Sequence, residues 1–341
     1  MLFTRAGERA APIGEELADD PDLDVEHEFK LEQAEIASEP VVEAAALAVQ
    51  LRERRRAVVD SAAERGVLVA ALATSPLGTR PTATPDERYV RMHEQFGAIA
   101  GEQLTCGAHV HVSIESRAQG IAAINGIRPW SAVLLALSAN SPFWNGADTG
   151  YASYRSIAWG RWPTAGPTAR FADADEYDRM VHRLIATGAA MDEAMIYFDA
   201  RLSATYPTVE LRMADVGQTV ADSVLLATLS RALVDSAAGA ELPDPPVALL
   251  RAAAWRAARF GLTGELVDAA DGRLRPAADV VDRLLDAVNA ALVRNGDAAF
   301  VRDEVARLLR DGTGAELQRA DLARRNRPAG VVRAAAARTA S

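Results

Sequence analysis

Between Cys106 and Ile114 apolar and polar residues alternate, with Ala108, Val110, Val112 and Ile114 on one side and His109, His111 and Ser113 on the other. A period of two belongs to a strand, whose successive side chains leave opposite faces. Thr208–Ala214 repeats the design: Thr208, Glu210 and Arg212 oppose Val209, Leu211 and Met213. The spacing predicts a third such strand over Glu28–Ile36, where Gln33 and Glu35 share a face. Apolar runs at Val67–Ala73 and Ala194–Phe198 are also of strand length. Helices are predicted from Ser38 and Pro40 to about Glu64, closed by Gly66, and over Ile121–Ala139 and Asp175–Ala189. Thr84-Pro85-Asp86-Glu87 joins an N-cap, a first-turn proline and a capping-box glutamate ahead of a helix to about Ala98.

From Thr219 the pattern is helical, broken at Leu242-Pro243-Asp244-Pro245-Pro246. Residues Asn140–Arg170, with Trp144, Tyr151, Tyr154, Trp159 and Trp162, read as a long binding loop or lid. Strands early and helices late predict one α+β domain over residues 1–331, with the Ala- and Arg-rich residues 332–341 as a frayed tail.

Composition narrows the chemistry. A chain of 341 residues, 49% hydrophobic and 25% charged, has material for a sizeable core. Its net charge of −10, without a basic stripe, argues against nucleic acid as a partner. No apolar run is expected to reach the ~18–20 residues of a membrane span, and the first residues lack the basic-then-apolar layout of a secretion signal. Cys106 is the single cysteine, so no internal disulfide can form and a reducing cytoplasm is the expected compartment. Lys30 is the single lysine, which excludes a Walker-type phosphate loop. Any phosphate must then be neutralised by arginine and metal.

The polar fronts of the three strands offer His109, His111, Glu35, Glu210 and Arg212. Taken singly, a His-x-His pair suits a metal site or a half-exposed sheet face, and Glu210 with Arg212 suits a solvated ion pair. A sheet curled into a funnel would make them converge, and carboxylates with imidazole suit Mg²⁺ or Mn²⁺. Arg155, in the aromatic loop, and Arg201 carry forks that bind carboxylate or phosphate at two points, or lie on the surface. Cys106 reads as a small buried residue, since no basic neighbour in sequence would lower its pKa.

Five motifs in order, Gln33–Ser38, Cys106–Val112, Leu135–Trp144, Thr149–Arg155 and Tyr206–Val216, together resemble the glutamate–cysteine ligase type 2 family of ATP-dependent carboxylate–amine ligases. Trp255–Gly261 and Gly312–Arg319 resemble that family's C-terminal helices. The resemblance implies a catalytic fold similar to that of glutamine synthetase: a curved antiparallel funnel backed by helices, with a helical C-terminal part. It implies ATP and Mg²⁺ (or Mn²⁺), γ-phosphoryl transfer to a carboxylate, and displacement of phosphate by an amine. Glutamate and cysteine are the family-default substrates; small molecules are the implied partners, with a homo-oligomer possible.

By the same resemblance Glu35, His109 and Glu210 would be metal ligands. Arg212 would neutralise the phosphoryl group, Arg201 would contact the nucleotide, and Arg155 would hold a substrate carboxylate or a phosphate. His111 would face the acceptor substrate or a metal. The family begins with a strand reading roughly Gly-Val-Glu-Glu-Glu-Phe, whereas this chain starts Met1-Leu2-Phe3-Thr4. The expectation is that Met1 is internal to a longer protein, that the donor set is incomplete, and that this form is nearly inactive. Two other readings are a non-catalytic nucleotide- or metal-binding remnant, and a hydrolase built on His109, His111 and Glu210.

Overall fold

A computed structural model describes residues 1–237 and 243–341. The chain opens with strand β1 (Leu2–Thr4) and helix α1 (Gly14–Ala18), crosses an irregular segment, and forms the long helix α2 (Ala44–Glu64). Strand β2 (Val67–Val69) returns antiparallel to β1. Helices α3 (Glu87–Phe96) and α4 (Ala98–Glu102) precede β3 (Gly107–Ser113). Next come α5 (Arg117–Ile127) and α6 (Ser131–Leu137), joined by a 3₁₀ turn, and a ribbon of β4 (Phe143–Trp144) and β5 (Ala147–Asp148). Helices α7 (Tyr154–Trp159) and α8 (Ala174–Ala186) lead to β6 (Ala200–Leu202) and β7 (Thr208–Asp215). The rest is α9 (Val220–Ser236), α10 (Val247–Phe260), the hairpin β8 (Glu265–Asp268) and β9 (Arg273–Pro276), α11 (Ala277–Arg294), α12 (Ala298–Asp311), α13 (Gly314–Arg325) and α14 (Pro328–Arg338). The class is α+β, as the residue pattern predicts, and the sheets are antiparallel, as the family resemblance implies.

The sheet that positions the site has the order β3-β7-β6, with β7 in the middle and buried throughout. Its apolar back, Val209 and Leu211, joins Ile121, Ile124, Leu225 and Leu229 in the main core, where α5 and α9 cover it. Burying each such side chain contributes about 1.5–3 kcal/mol. Gly120 lets α5 sit this close: a Cβ there would lie 2.5 Å from Leu202 and 2.7 Å from Ile114. On the polar front His111 pairs in register with Glu210, and Arg201 pairs with Glu210 from the other side. The β3–β7 register shifts between Ala108 and Val110, so that Arg212 and Met213 together oppose His109. This bulge brings Asp215, rather than Ala214, opposite Gly107.

Several expected elements differ. Glu28–Ile36 is no strand; its hydrogen bonds are shared among separate segments, Leu31 N–H donating to Thr82 and Gly14 N–H to the Leu31 carbonyl. Isolated bridges Glu26–Glu35 and Lys30–Ala83 are all that remain of strand pairing there. Helix α2 begins at Ala44, not near Ser38. Asp86 caps α3 by accepting from Arg88 N–H, while Thr84 is buried and its hydroxyl donates to the Glu28 carbonyl. Residues Glu193–Met195 form a 3₁₀ turn, and the strand starts at Ala200. The Asn140–Arg170 segment contains the β4–β5 ribbon and α7, and the β8–β9 hairpin interrupts the helical C-terminal part. Within the proline-rich break, Leu242 lies outside the described residues and Pro246 precedes α10.

Two corrections concern the whole chain. Arg117–Leu137 is long and apolar enough to cross a membrane by composition, contrary to expectation, but its most apolar 18 residues are 89% buried inside the protein as core. Residues 332–341 are not a frayed tail. Val331, Val332, Ala334 and Ala335 of α14 are buried, and Val332 and Ala335 pack with Met1, Phe3 and Leu72. Arg55 donates to the Thr339 carbonyl at 2.9 Å, which fastens the end of α14 to α2.

Candidate active site

Glu210 projects from the middle of β7 and is 2% exposed. Arg201, its register partner on β6, donates from Nε to Oε2 at 2.7 Å, and Arg212, two residues along the same face, pairs with Oε1. Arg201 is itself held by the carbonyls of Glu193, Ala194 and Ile196 at 3.0–3.1 Å. On the β3 side, His109 Nδ1 lies 3.8 Å from Glu210 Oε1 and 3.7 Å from Glu35 Oε1. His111 Nε2 lies 3.8 Å from Glu210 Oε1, and its Nδ1 shares a hydrogen bond with the Thr208 hydroxyl at 2.9 Å. The exposed ring of Tyr206 stands edge-on to His111, 6.0 Å between centroids. Glu35, His109, His111, Arg201, Glu210 and Arg212 therefore meet, as the period-two pattern anticipates for all but Arg201, although Glu35 arrives from an irregular segment and not from the expected strand.

The electrostatics follow from burial and arginine. Burial opposes ionisation of Glu210, but Arg212 and Arg201 outweigh it and hold the carboxyl below its ordinary range. Glu35 is pushed up to about 9, first by burial and then by the hydrogen bond and charge of Glu28. His109 is held well below its ordinary value by burial, then by Arg212, Arg155 and Arg201, so its imidazole is neutral at pH 7. His111 is lowered too, by burial and the same Arg212 and Arg201, against the pull of Glu210.

Arg155 sits apart from this cluster. It is 2% exposed and donates to the carbonyls of Met213 and Arg212 at 3.3 Å, with Asp215 4.0 Å away. Asp215 in turn accepts from the Ser141 and Ser153 hydroxyls at 2.7 and 2.9 Å and from Asn140 N–H at 2.8 Å. Gly107 makes room for the guanidinium, since a Cβ there would lie 2.2 Å from Arg155 Nη2. In this structure Arg155 braces the bulge from which Arg212 projects. Cys106 is half-buried, with Gln33 Nε2 donating to its Sγ at 3.5 Å.

Sequence reasoning missed Asp199. It precedes β6, its carbonyl accepts from Arg212 N–H at 2.8 Å, and burial pushes its carboxyl to about 7 against the lowering effect of Arg155. The signal was its position two residues before Arg201, readable only once the strand is placed at Ala200. Glu28 was missed for the same reason: the irregular segment carries no period.

A magnesium or manganese ion calls for a largely oxygen-donor shell of about six ligands. Both Glu210 oxygens are engaged by arginines, leaving Glu35 and His109 as neighbouring donors. Among the described residues no three His, Cys, Asp or Glu side chains are grouped to hold a metal. The donors present do not complete such a shell. An anion fits better. Arg212 Nε is buried without a hydrogen-bond partner among the described residues, while Nη1 of the same guanidinium pairs with the Glu210 carboxylate.

The chain matches the family model described as glutamate-cysteine ligase family 2 over residues 6–337. It belongs to that family. A protein of Frankia alni named "Putative glutamate–cysteine ligase 2-2" is 53% identical over 310 residues, covering 89% of this chain and 81% of the relative. One from Streptomyces coelicolor, "Putative glutamate–cysteine ligase 2", is 47% identical over 336 residues, covering 97% and 93%. Among solved structures, the glutamate–cysteine ligase of Francisella tularensis in complex with AMP superposes with a TM-score of 0.73 at 11% identity, covering 100% of this chain and 87% of that one. At that identity the likeness establishes the fold. For this family member, the Glu210 cluster is where the sheet gathers its ionisable groups.

Proposed function

We propose that this protein is an ATP-dependent carboxylate–amine ligase, with glutamate and cysteine as the first substrate pair to test. The γ-phosphoryl group passes from ATP to the substrate carboxylate, leaving ADP and an acyl phosphate; the amine then attacks the acyl carbon and phosphate leaves, giving the amide. The observation that carries this reading is Arg212. It is a buried guanidinium steered by Glu210, flanked by Arg201 and left with an unclaimed donor. Phosphoryl transfer needs positioning and charge neutralisation above all, and a fixed arginine pair supplies both without reorganisation. AMP in the Francisella enzyme supports a nucleotide at the equivalent fold.

In this reading Arg212 and Arg201 take the transferring phosphoryl and the nucleotide, and Arg155 acts through the bulge as a positioning residue. His111, neutral at pH 7 and the more exposed of the two imidazoles, receives the amine's proton. The Mg²⁺ or Mn²⁺ implied by the family resemblance would find only Glu35, itself hydrogen-bonded to Glu28, and His109 beside the arginine-bound Glu210, and these do not complete its shell.

ADP release with ATP, glutamate and cysteine is the test. Arg212→Ala and Glu210→Gln are each expected to lower kcat/KM at least 100-fold, about 3 kcal/mol of transition-state stabilisation. Wild-type rates in both variants would overturn the assignment. The short donor set favours one second reading, a nucleotide binder without turnover, which would bind ATP in a calorimetric titration and release no ADP above background.

A further inference from the structure

On the helical side of the molecule lies an open cavity of about 330 Å³, lined by Asp148, Gly150, Arg259, Phe260, Thr263 and Arg319. It shares no residue with the Glu210 cluster. Arg319 is engaged through Nε and Nη2, donating to both Asp148 oxygens at 2.8 Å and to the Tyr151 carbonyl at 2.9 Å. Asp148 also accepts from Gly150 N–H at 2.8 Å, so its lone pairs are largely spoken for.

Arg259 is different. Among the described residues it makes no ion pair and no side-chain hydrogen bond, yet it is held in place. Its guanidinium lies over the Tyr151 ring at 5.5 Å and the Phe260 ring at 5.1 Å. Tyr151 is fixed by the indole N–H of Trp255, which donates to its hydroxyl at 3.2 Å. Stacking immobilises the plane of an arginine and leaves its polar edge for a partner. Gly150, whose φ of +76° favours glycine, lies beside the guanidinium, where a Cβ would make ordinary contact at 3.4–3.5 Å. With Arg319 and Asp148 cancelling, the cavity retains one positive charge on a chain of net charge −10. That volume admits a small molecule, and a preordered fork suits a planar or tetrahedral oxyanion.

We propose that this cavity is a second binding site, for a small molecule bearing a carboxylate or phosphate group, with Arg259 as its anchor. The site stands whether or not the ligase reading does, because its test is binding.

Isothermal titration of the full chain with inorganic phosphate, and separately with L-glutamate, distinguishes the two oxyanion sources. Saturable binding of at least one is expected, with Kd raised at least tenfold by Arg259→Ala. Thr263→Glu places a carboxylate at the exposed rim and is expected to weaken binding by a similar factor with an unchanged circular dichroism spectrum. It keeps the test alive should Arg259→Ala misfold. Arg212→Ala, in the other cluster, is expected to leave this binding in place. Absence of saturable binding in the wild type overturns the proposal. So does binding whose Kd is unchanged in a folded Arg259→Ala or, should that variant misfold, in a folded Thr263→Glu, as does binding that disappears in Arg212→Ala.

Discussion

At the residue scale the molecule places ionisable groups where water is scarce and settles them with arginine. Glu210 stays ionised because two guanidiniums meet its oxygens; removing either would leave a buried charge half-compensated, the costly case for a buried pair. Asp199 shows the opposite balance. Its carboxyl, raised to about 7, binds a proton more tightly in the folded than in the unfolded chain between roughly pH 4 and 7. Over that window the folded state holds more protons, so Asp199's contribution to stability falls as pH rises. Asp199→Asn removes the titration. Thermal melts are expected to show a flatter loss of Tm from pH 4 to 8 in the variant than in the wild type; parallel curves would mean that the carboxyl of Asp199 is not raised in the folded state.

The element that gives the site its shape is the β3–β7 pair with its bulge. The extra residue on β7 changes the phase of alternation, so Asp215 comes opposite Gly107 and its carboxylate meets Arg155. Arg155 then ties down the carbonyls of Arg212 and Met213, which is how a residue of α7 controls the direction of a strand residue. Gly107→Ala would drive a methyl group into that guanidinium. The expected cost is about 2–4 kcal/mol by urea unfolding, from overpacking and lost hydrogen bonds. A cost below about 0.5 kcal/mol would show that the brace is not under steric control. Alternation alone could not foretell this, because a bulge is a departure from the period that the reading relies on.

At the scale of the whole molecule the two ends of the chain meet. Met1 and Phe3 share a cluster with Leu72, Leu104, Val332 and Ala335. Arg338 reaches Gln218 and Asp321, and Arg55 reaches Thr339. Deleting residues 332–341 is therefore expected to lower Tm by at least about 3 °C, since even a 2 kcal/mol loss moves a chain of this size about that far. An unchanged melting curve would restore the idea of a free tail. Composition misled here, because Ala and Arg read as polar punctuation in sequence yet serve as small core residues and long-reach donors in the fold. What the sequence determined by itself was the two-faced design of Gly107–Ser113 and Thr208–Asp215, the Glu210–Arg212 pair, and the α+β class, since a period of two and the identity of neighbours are local properties. The tertiary structure alone decided the approach of Glu35 to His109 from an irregular segment, the position of Arg155 behind the bulge, the raised carboxyl of the half-buried Asp199, and the unclaimed fork of Arg259. Each of those depends on long-range packing, where hydrogen bonds and burial are set by residues far apart in the chain.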